Sequence, residues 1–574
     1  MKKIYFSLLV VAAAGLAGCN FLDKNPDMRA SIDTQEKVRL LLVSAYTDAD
    51  ASAICEFSSD NVIDNNSPDA KGHVNSLTPL DKMYDEIFAW EPVVSSDQQN
   101  SPKSIWNGCY SAIAACNQAL QAIENLEAQG KDLSAEKGEA LLSRAYHHFL
   151  LTTVFCKAYR TDELSKNDLG LVYMTEPETE VAPHYERESL TETYNHIEED
   201  LEEGLKLVAD NYYSVPKYHF NTKAAHAFAA RFYLYKRKWQ KVIDHSNIVL
   251  GTTKESAAAL MHDAKHTLTD LTDVNSEFLA WIDGNSAANL LVYTTYSTAP
   301  YTLFGGYDRY GLNRDPRTYT ISGPGPAWSR FPGVSVWSAN SGNYSSFAAH
   351  WFYLFEYIDK VQGYGYVHGV TRAFTTNENI LARAEAKAQL GDLNGAIADL
   401  NVWCESYDVG SSKMTRNSAG EILDLSKIQN FYKDGSSKEI VPVLHNADID
   451  PSWTFSDDQK RVIYCCLQLR RIETIHDGLR WMDLKRYGIE ITHKQGIMPE
   501  KRMLWNDDRY AIQLPQEVIL AGLKANPRDN VGDHVAAEAS NAPINVTPLE
   551  LEMSVKGQTI AIVPNDDNED DDTK

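Results

Sequence analysis

Flat aromatic rings set among Asn, Gly and Pro are the residues here whose types and spacing could do chemistry. Between Leu268 and His368 the chain carries Tyr307, Tyr310, Trp328, Trp337 and Tyr344. Asn340 and Asn343 flank the last two, and Pro324, Pro326 and Pro332 stiffen the intervening backbone. Rings of this kind stack on the apolar C–H faces of sugars, while side-chain amides orient the hydroxyls. The competing reading is that each ring packs beneath its loop as a small satellite core. Trp90 and the polar loop Asp60 to Asn66 form a second, weaker candidate. Trp106 heads a helical repeat and is expected in the core. Tyr353, Phe355 and Tyr357 alternate as in a strand, which also favours burial.

Catalytic signals are weak by comparison. Paired carboxylates are unavoidable among 79 Asp and Glu, so their presence selects nothing. There is no GxSxG elbow, no phosphate-binding loop, no dinucleotide fingerprint and no HExxH or CxxC pair. Gly363-Tyr364-Gly365 is too short a fragment of any glycine motif to count. His147, His148 and His476 lack ligand partners at helical spacing, so satisfied or surface histidines are expected rather than metal ligands. Arg470, Arg471, Arg480 and Arg486 run with Glu473, Asp477 and Asp483, which favours ion pairing within the chain over anion binding. Asp315-Pro316-Arg317 reads as a turn. No cofactor and no metal is expected, and the chain is expected to bind rather than catalyse.

The first residues speak to compartment. Lys2 and Lys3 precede an apolar run from Ile4 to Ala14, which is too short to span a bilayer. Leu16-Ala17-Gly18-Cys19 then matches a bacterial lipobox, in which the Cys19 thiol takes the lipid. Cleavage before Cys19 would remove both lysines and move the net charge from −25 to −27. So acidic a chain has no use for nucleic acid, which needs clustered Lys and Arg. Seven cysteines remain without paired spacing, which argues for small core residues over a disulfide framework.

Positioning such rings requires a rigid frame. Asn379 to Cys404 shows the clearest helical periodicity, with Ile380, Leu381, Ala384 and Ala388 on one face. Gly391-Asp392 breaks it before Ala396, Ile397, Leu400 and Trp403. Small alanines at a crossing let two helices approach closely, as in tetratricopeptide hairpins. With this pair, near 378–404, three others are expected near 106–159, 189–250 and 458–488. The segment 268–368 is loop-rich with short strands. Residues 531–574 form a C-terminal extension that ends in an acidic run, Asp566 to Asp572, expected to be solvated rather than a calcium loop.

Several boxes in collinear order after the lipobox resemble the SusD/RagB family of nutrient-binding outer-membrane lipoproteins of Bacteroidetes. They are Phe21-Leu22-Asp23-Lys24-Asn25-Pro26; Trp106, Tyr110, Ile113 and Asn117; Arg144-Ala145-Tyr146; Asn221-Thr222-Lys223-Ala224-Ala225 with Ala229, Arg231, Tyr233 and Leu234. Arg471, Glu473, Gly478, Arg480, Trp481, Asp483, Leu484, Arg486 and Gly488 are the most specific, followed by Leu514-Pro515-Gln516-Glu517 and Asn526-Pro527. Asp477, where the family usually has Glu, and His476 depart from the pattern. The resemblance implies a mainly α fold, in which four tetratricopeptide-like hairpins carry an irregular ligand lobe. It implies a signal peptide at 1–18, a body at 19–530 and a lipid anchor at Cys19. It also implies capture of glycans at the cell surface for a SusC-like TonB-dependent transporter. A peptide ligand, a surface glycoside hydrolase and a protein-binding adaptor are the alternatives.

Overall fold

The structure is a computed structural model. It describes residues 32–532 apart from 69–71, 181–182, 299–308, 313, 334–335, 339–345, 349–353 and 410–413, together with the backbone of 534–535 and 545–546. The side chains of 274, 314–315, 336–338 and 346–347 also lie outside the description.

The architecture is mainly α, as the helical periodicity requires. A short helix α1 (Gln35–Leu42) precedes a long pair, α2 (Pro102–Glu127) and α3 (Ser134–Phe155). Helix α4 (Leu190–Leu207) packs mainly back on α3. The second hairpin is therefore α5 (Thr222–Tyr235) with α6 (Trp239–Leu250), shorter than the expected 189–250 unit. The turn between them puts Arg237 at φ 56°. Helices α7 (Thr376–Gln389) and α8 (Leu393–Tyr407) form the third pair, broken at Gly391-Asp392 as expected. Gly391 sits at φ 86°, a conformation that costs other residues energy but glycine little. Helix α9 (Asp457–Glu473) packs mainly on α7. Helix α10 (Leu479–Tyr487) turns away at His476 and Gly478, both at positive φ, to sit against Ser52–Ser58, so 458–488 is not a simple hairpin.

One continuous core joins these pairs, from Ile54 and Phe57 through Phe228 and Leu381 to Trp481. All seven described cysteines are buried in it or beside it. The ion pairs expected within the Arg-rich segment are present, but most partners come from elsewhere in the chain. Arg470 reaches Glu378 (3.3 Å) and Asp483 (3.2 Å), Arg480 reaches Asp60 (2.8 Å), and Arg486 binds Asp483 (2.8 Å) and Glu385 Oε2 (2.6 Å). Arg144 similarly joins Asn117 (2.9 Å) to Asp200 (2.7 Å), so the N-terminal boxes meet in space.

A three-stranded antiparallel sheet interrupts the helices: β1 (Asn289–Tyr296), β2 (Leu354–Asp359) and β3 (Tyr364–Thr375), in the order β1-β3-β2. Strand β3 runs straight into α7, whose N-cap is Thr375. Arg231 of α5 fastens this junction by donating to Ala373 O (2.8 Å) and pairing with Glu378 (3.1 Å). Tyr293 on the back of the sheet meets Tyr146 of α3, hydroxyl to hydroxyl, at 3.1 Å. Asp315-Pro316-Arg317 lies within a one-turn helix, Arg314–Arg317, rather than a simple turn.

Candidate functional site

Three of the aromatic residues singled out above are structural. Tyr310 is 1% exposed; its hydroxyl donates to Asp85 Oδ1 (2.6 Å) and accepts from Gln495 (2.8 Å), and its ring lies on Phe88 (4.7 Å). Trp328, 6% exposed, packs edge-on to Phe331 (5.6 Å), which stacks on Trp403 of α8 (5.4 Å). The turn that buries it needs Gly325, since a Cβ there would come within 2.1 Å of the indole. Trp90 is also 6% exposed, donates its Nε1 to Ser58 O (2.9 Å) and stacks on His493 (4.1 Å). None of the three presents an open ring face. All three rings belong to the main core rather than to a satellite beneath their loops. Cys19, Tyr307, Asn340, Asn343 and Tyr344 lie outside the described residues. Trp337 belongs to a short strand that pairs it with Phe347, its side chain also being outside.

The loop from Asp60 to Asn66 is equally spoken for. Asn61 binds Glu56 and Arg471, and Asp64 holds Arg309 at 2.8 Å. His147 and His148 are satisfied core residues, each Nδ1 turned to a backbone carbonyl, Ser143 O (2.7 Å) and Arg144 O (2.9 Å). Burial pushes them down to about 4 and about 3, so both are neutral.

Among the described residues, Tyr364 and Tyr366 of the sheet and Tyr218 of the turn before α5 are the exposed rings, and the sheet gathers two of them. Residues two apart on a strand share a face, so Tyr364, Tyr366 and His368 of β3 project together. Tyr364 is 55% and Tyr366 40% exposed. Half-buried Tyr296 of β1 pairs with His368 across the ladder and joins the same face, 5.4 Å from Tyr366 and 4.4 Å from His368. The rings of Tyr364 and Tyr366 lie 6.0 Å apart at 62°, and their hydroxyls meet at 3.4 Å. That hydrogen bond raises the Tyr366 hydroxyl above its ordinary value. At the margin, His368 Nε2 meets Glu356 Oε2 of β2 at 2.5 Å. Leu354 and Ile358 of β2 are exposed beside them.

Toward its junction with α7 the opposite face of the sheet is buried. Thr295 is buried and meets Thr371 at 3.4 Å, and the strand end at Ala373 and Phe374 is in the core. Phe355 and Tyr357, expected to be buried, are half-buried and contact one another at 4.8 Å. Opposite Tyr357 stands Gly365, where a Cβ would strike Glu356 O at 1.9 Å. Gly365 is thus needed for strand packing. Tyr364 and Tyr366, which no motif in the sequence marks as ligand-binding, are the adjacent accessible rings among the described residues. Their signal is the i, i+2 aromatic spacing through Gly365, a strand pattern rather than a glycine motif.

Residues 20–234 match the SusD-like family, described as starch-binding and associating with the outer membrane. Over those residues the chain is similar to that family. Solved structures agree on the fold. A SusD superfamily protein from Bacteroides thetaiotaomicron superposes with a TM-score of 0.56 at 21% identity, covering 86% of this chain and 100% of that one. One from Bacteroides vulgatus gives 0.57 at 17%, covering 85% and 97%. A SusD-like carbohydrate binding protein from Bacteroides vulgatus gives 0.53 at 15%, covering 88% and 99%. No curated protein matches. Among the described residues, no helix of this SusD-like chain is long and apolar enough to cross a membrane.

Proposed function

We propose that this SusD-like chain is a non-enzymatic, cell-surface lipoprotein that captures carbohydrate and passes it to a SusC-like TonB-dependent transporter. The lipobox ending at Cys19 supplies the anchor, and several acyl chains on one residue hold a protein at a membrane without a spanning helix. The observation that carries the reading is the solvent-facing tyrosine face of β3. Tyr364 and Tyr366, with Tyr296 beside them, offer sugar C–H faces a pre-formed surface. Such rings lose little side-chain entropy on binding. The flanking Glu356–His368 pair supplies hydroxyl partners, and the net charge of −25 favours neutral over polyanionic glycans. The family description and the carbohydrate-binding neighbour point to the same ligand class.

Microcalorimetry of the purified chain against a panel of neutral oligosaccharides, starch-derived ones included, tests this, with product analysis alongside. Saturable binding without shortened products is the expected result. A blank panel, binding of peptides instead, or turnover of a bound glycan would each contradict it.

A further inference from the structure

Two histidines lie outside the tyrosine face and meet across the second hairpin. His226 on α5 and His245 on α6 point at each other across the hairpin, Nδ1 to Nδ1 at 2.8 Å, with ring planes 30° apart. A helical histidine has an easier partner for Nδ1 in the carbonyl one turn back, which His147 and His148 use. His226 and His245 turn theirs to each other instead.

We propose that His226 and His245 form a two-histidine site for a divalent late transition cation such as Zn2+. Metal–imidazole bonds of about 2.0–2.1 Å at angles of about 90–109° place the two nitrogens about 2.9–3.4 Å apart, so the observed pair needs a few tenths of an ångström of widening and a turn of both rings toward the cation. Imidazole pairs suit zinc, copper and nickel rather than magnesium or calcium. Both rings are half-buried, which leaves a path from solvent.

Metal entry balances without net proton release. In the metal-free pair one Nδ1 carries the shared hydrogen; that ring shifts its proton to Nε2, and the two Nδ1 lone pairs then converge on the cation. The second layer is in place. Tyr233 stacks on His245 (5.6 Å, 8°), and its hydroxyl is held by Glu198 (3.0 Å) and Lys241 (2.8 Å), fixing that ring's orientation. Among the described residues no group of three metal-binding side chains converges, so water completes the coordination sphere.

Zn2+ titrated into the full chain by calorimetry tests this, with Mg2+ as the control. The expected result is one dominant Zn2+ site, no Mg2+ binding, and affinity weakened at least tenfold in His226→Gln and in His245→Gln. A Zn2+-induced rise in melting temperature should vanish in both. Should the variants fail to fold, Cu2+ bound at one equivalent to the wild type is measured by electron paramagnetic resonance, which should report two equatorial imidazole nitrogens. No Zn2+ binding by the wild type, unchanged affinity in both variants, or fewer than two imidazoles on Cu2+ would overturn the site.

Discussion

At the scale of single residues, an aromatic side chain's role follows from which of its faces is covered, and composition is silent on that. Trp328 and Tyr364 both sit among glycines in the same loop-rich segment. The first is clamped against Phe331 and the α8 face, while the second leaves more than half its surface in water. Their variants should therefore separate stability from binding. Trp328→Ala empties a buried site and should cost about 3–5 kcal/mol of stability, seen as a lower denaturant midpoint at unchanged slope. Its affinity for ligand, measured on the folded fraction, should stay at the wild-type value. Trp328 is a reasonable ligand candidate from its Pro and Gly neighbours alone. What buries it is its packing on Phe331, which stacks on Trp403 of α8, a tertiary contact with no sequence period.

At the scale of elements, the helices are legible because a 3.6-residue period survives in one dimension. The α7–α8 pair and its break at Gly391-Asp392 appear in the chain as they do in the fold. The sheet is less legible, because Tyr296 meets His368 across a long intervening segment and no local pattern encodes that pairing. The Arg-rich C-terminal segment falls between. Ion pairing is evident from its charges, but Glu378, Glu385 and Asp60 as partners are not. Asp483 lies wholly buried between Arg470 and Arg486. Asp483→Asn should therefore cost about 1–3 kcal/mol, because it removes the buried charge that both arginines share while leaving Arg470 on Glu378 and Arg486 on Glu385. Glu473 behaves oppositely. Trp403 Nε1 and Tyr407 OH donate to its Oε2 at 2.8 Å each, and burial pushes its carboxyl up to about 7. The folded state thus holds this proton more tightly than an unfolded chain, whose glutamates titrate near about 4.3. Its contribution to stability falls as pH rises from there through about 7. Glu473→Gln keeps an acceptor and removes the titration. Thermal melts should show the variant gaining on wild type between pH 5 and 8, by about 1–3 kcal/mol at the upper end.

At the scale of the whole molecule, a helical frame holds a small sheet whose back is locked into the core and whose front is open. Strand β3 passes directly into α7, which anchors one end of the sheet, while Tyr364 and Tyr366 stand at its other end, where β3 pairs with β2 alone. A pre-formed face suits weak capture and quick release. The acidic composition, which by itself only excludes nucleic acid, fits a solvated body tethered at a surface. Cys19→Ala should move the protein from the membrane fraction to the soluble fraction on cell fractionation, since the thiol is the only lipid acceptor in the lipobox. The central claim rests on Tyr364 and Tyr366. The most direct test is the affinity of the Tyr364→Ala/Tyr366→Ala double variant for the tightest-binding oligosaccharide, read by calorimetry beside a thermal melt. The account predicts a loss of about 1–3 kcal/mol in binding, roughly five- to 150-fold, at an unchanged melting temperature. Wild-type affinity in a folded double variant would contradict it.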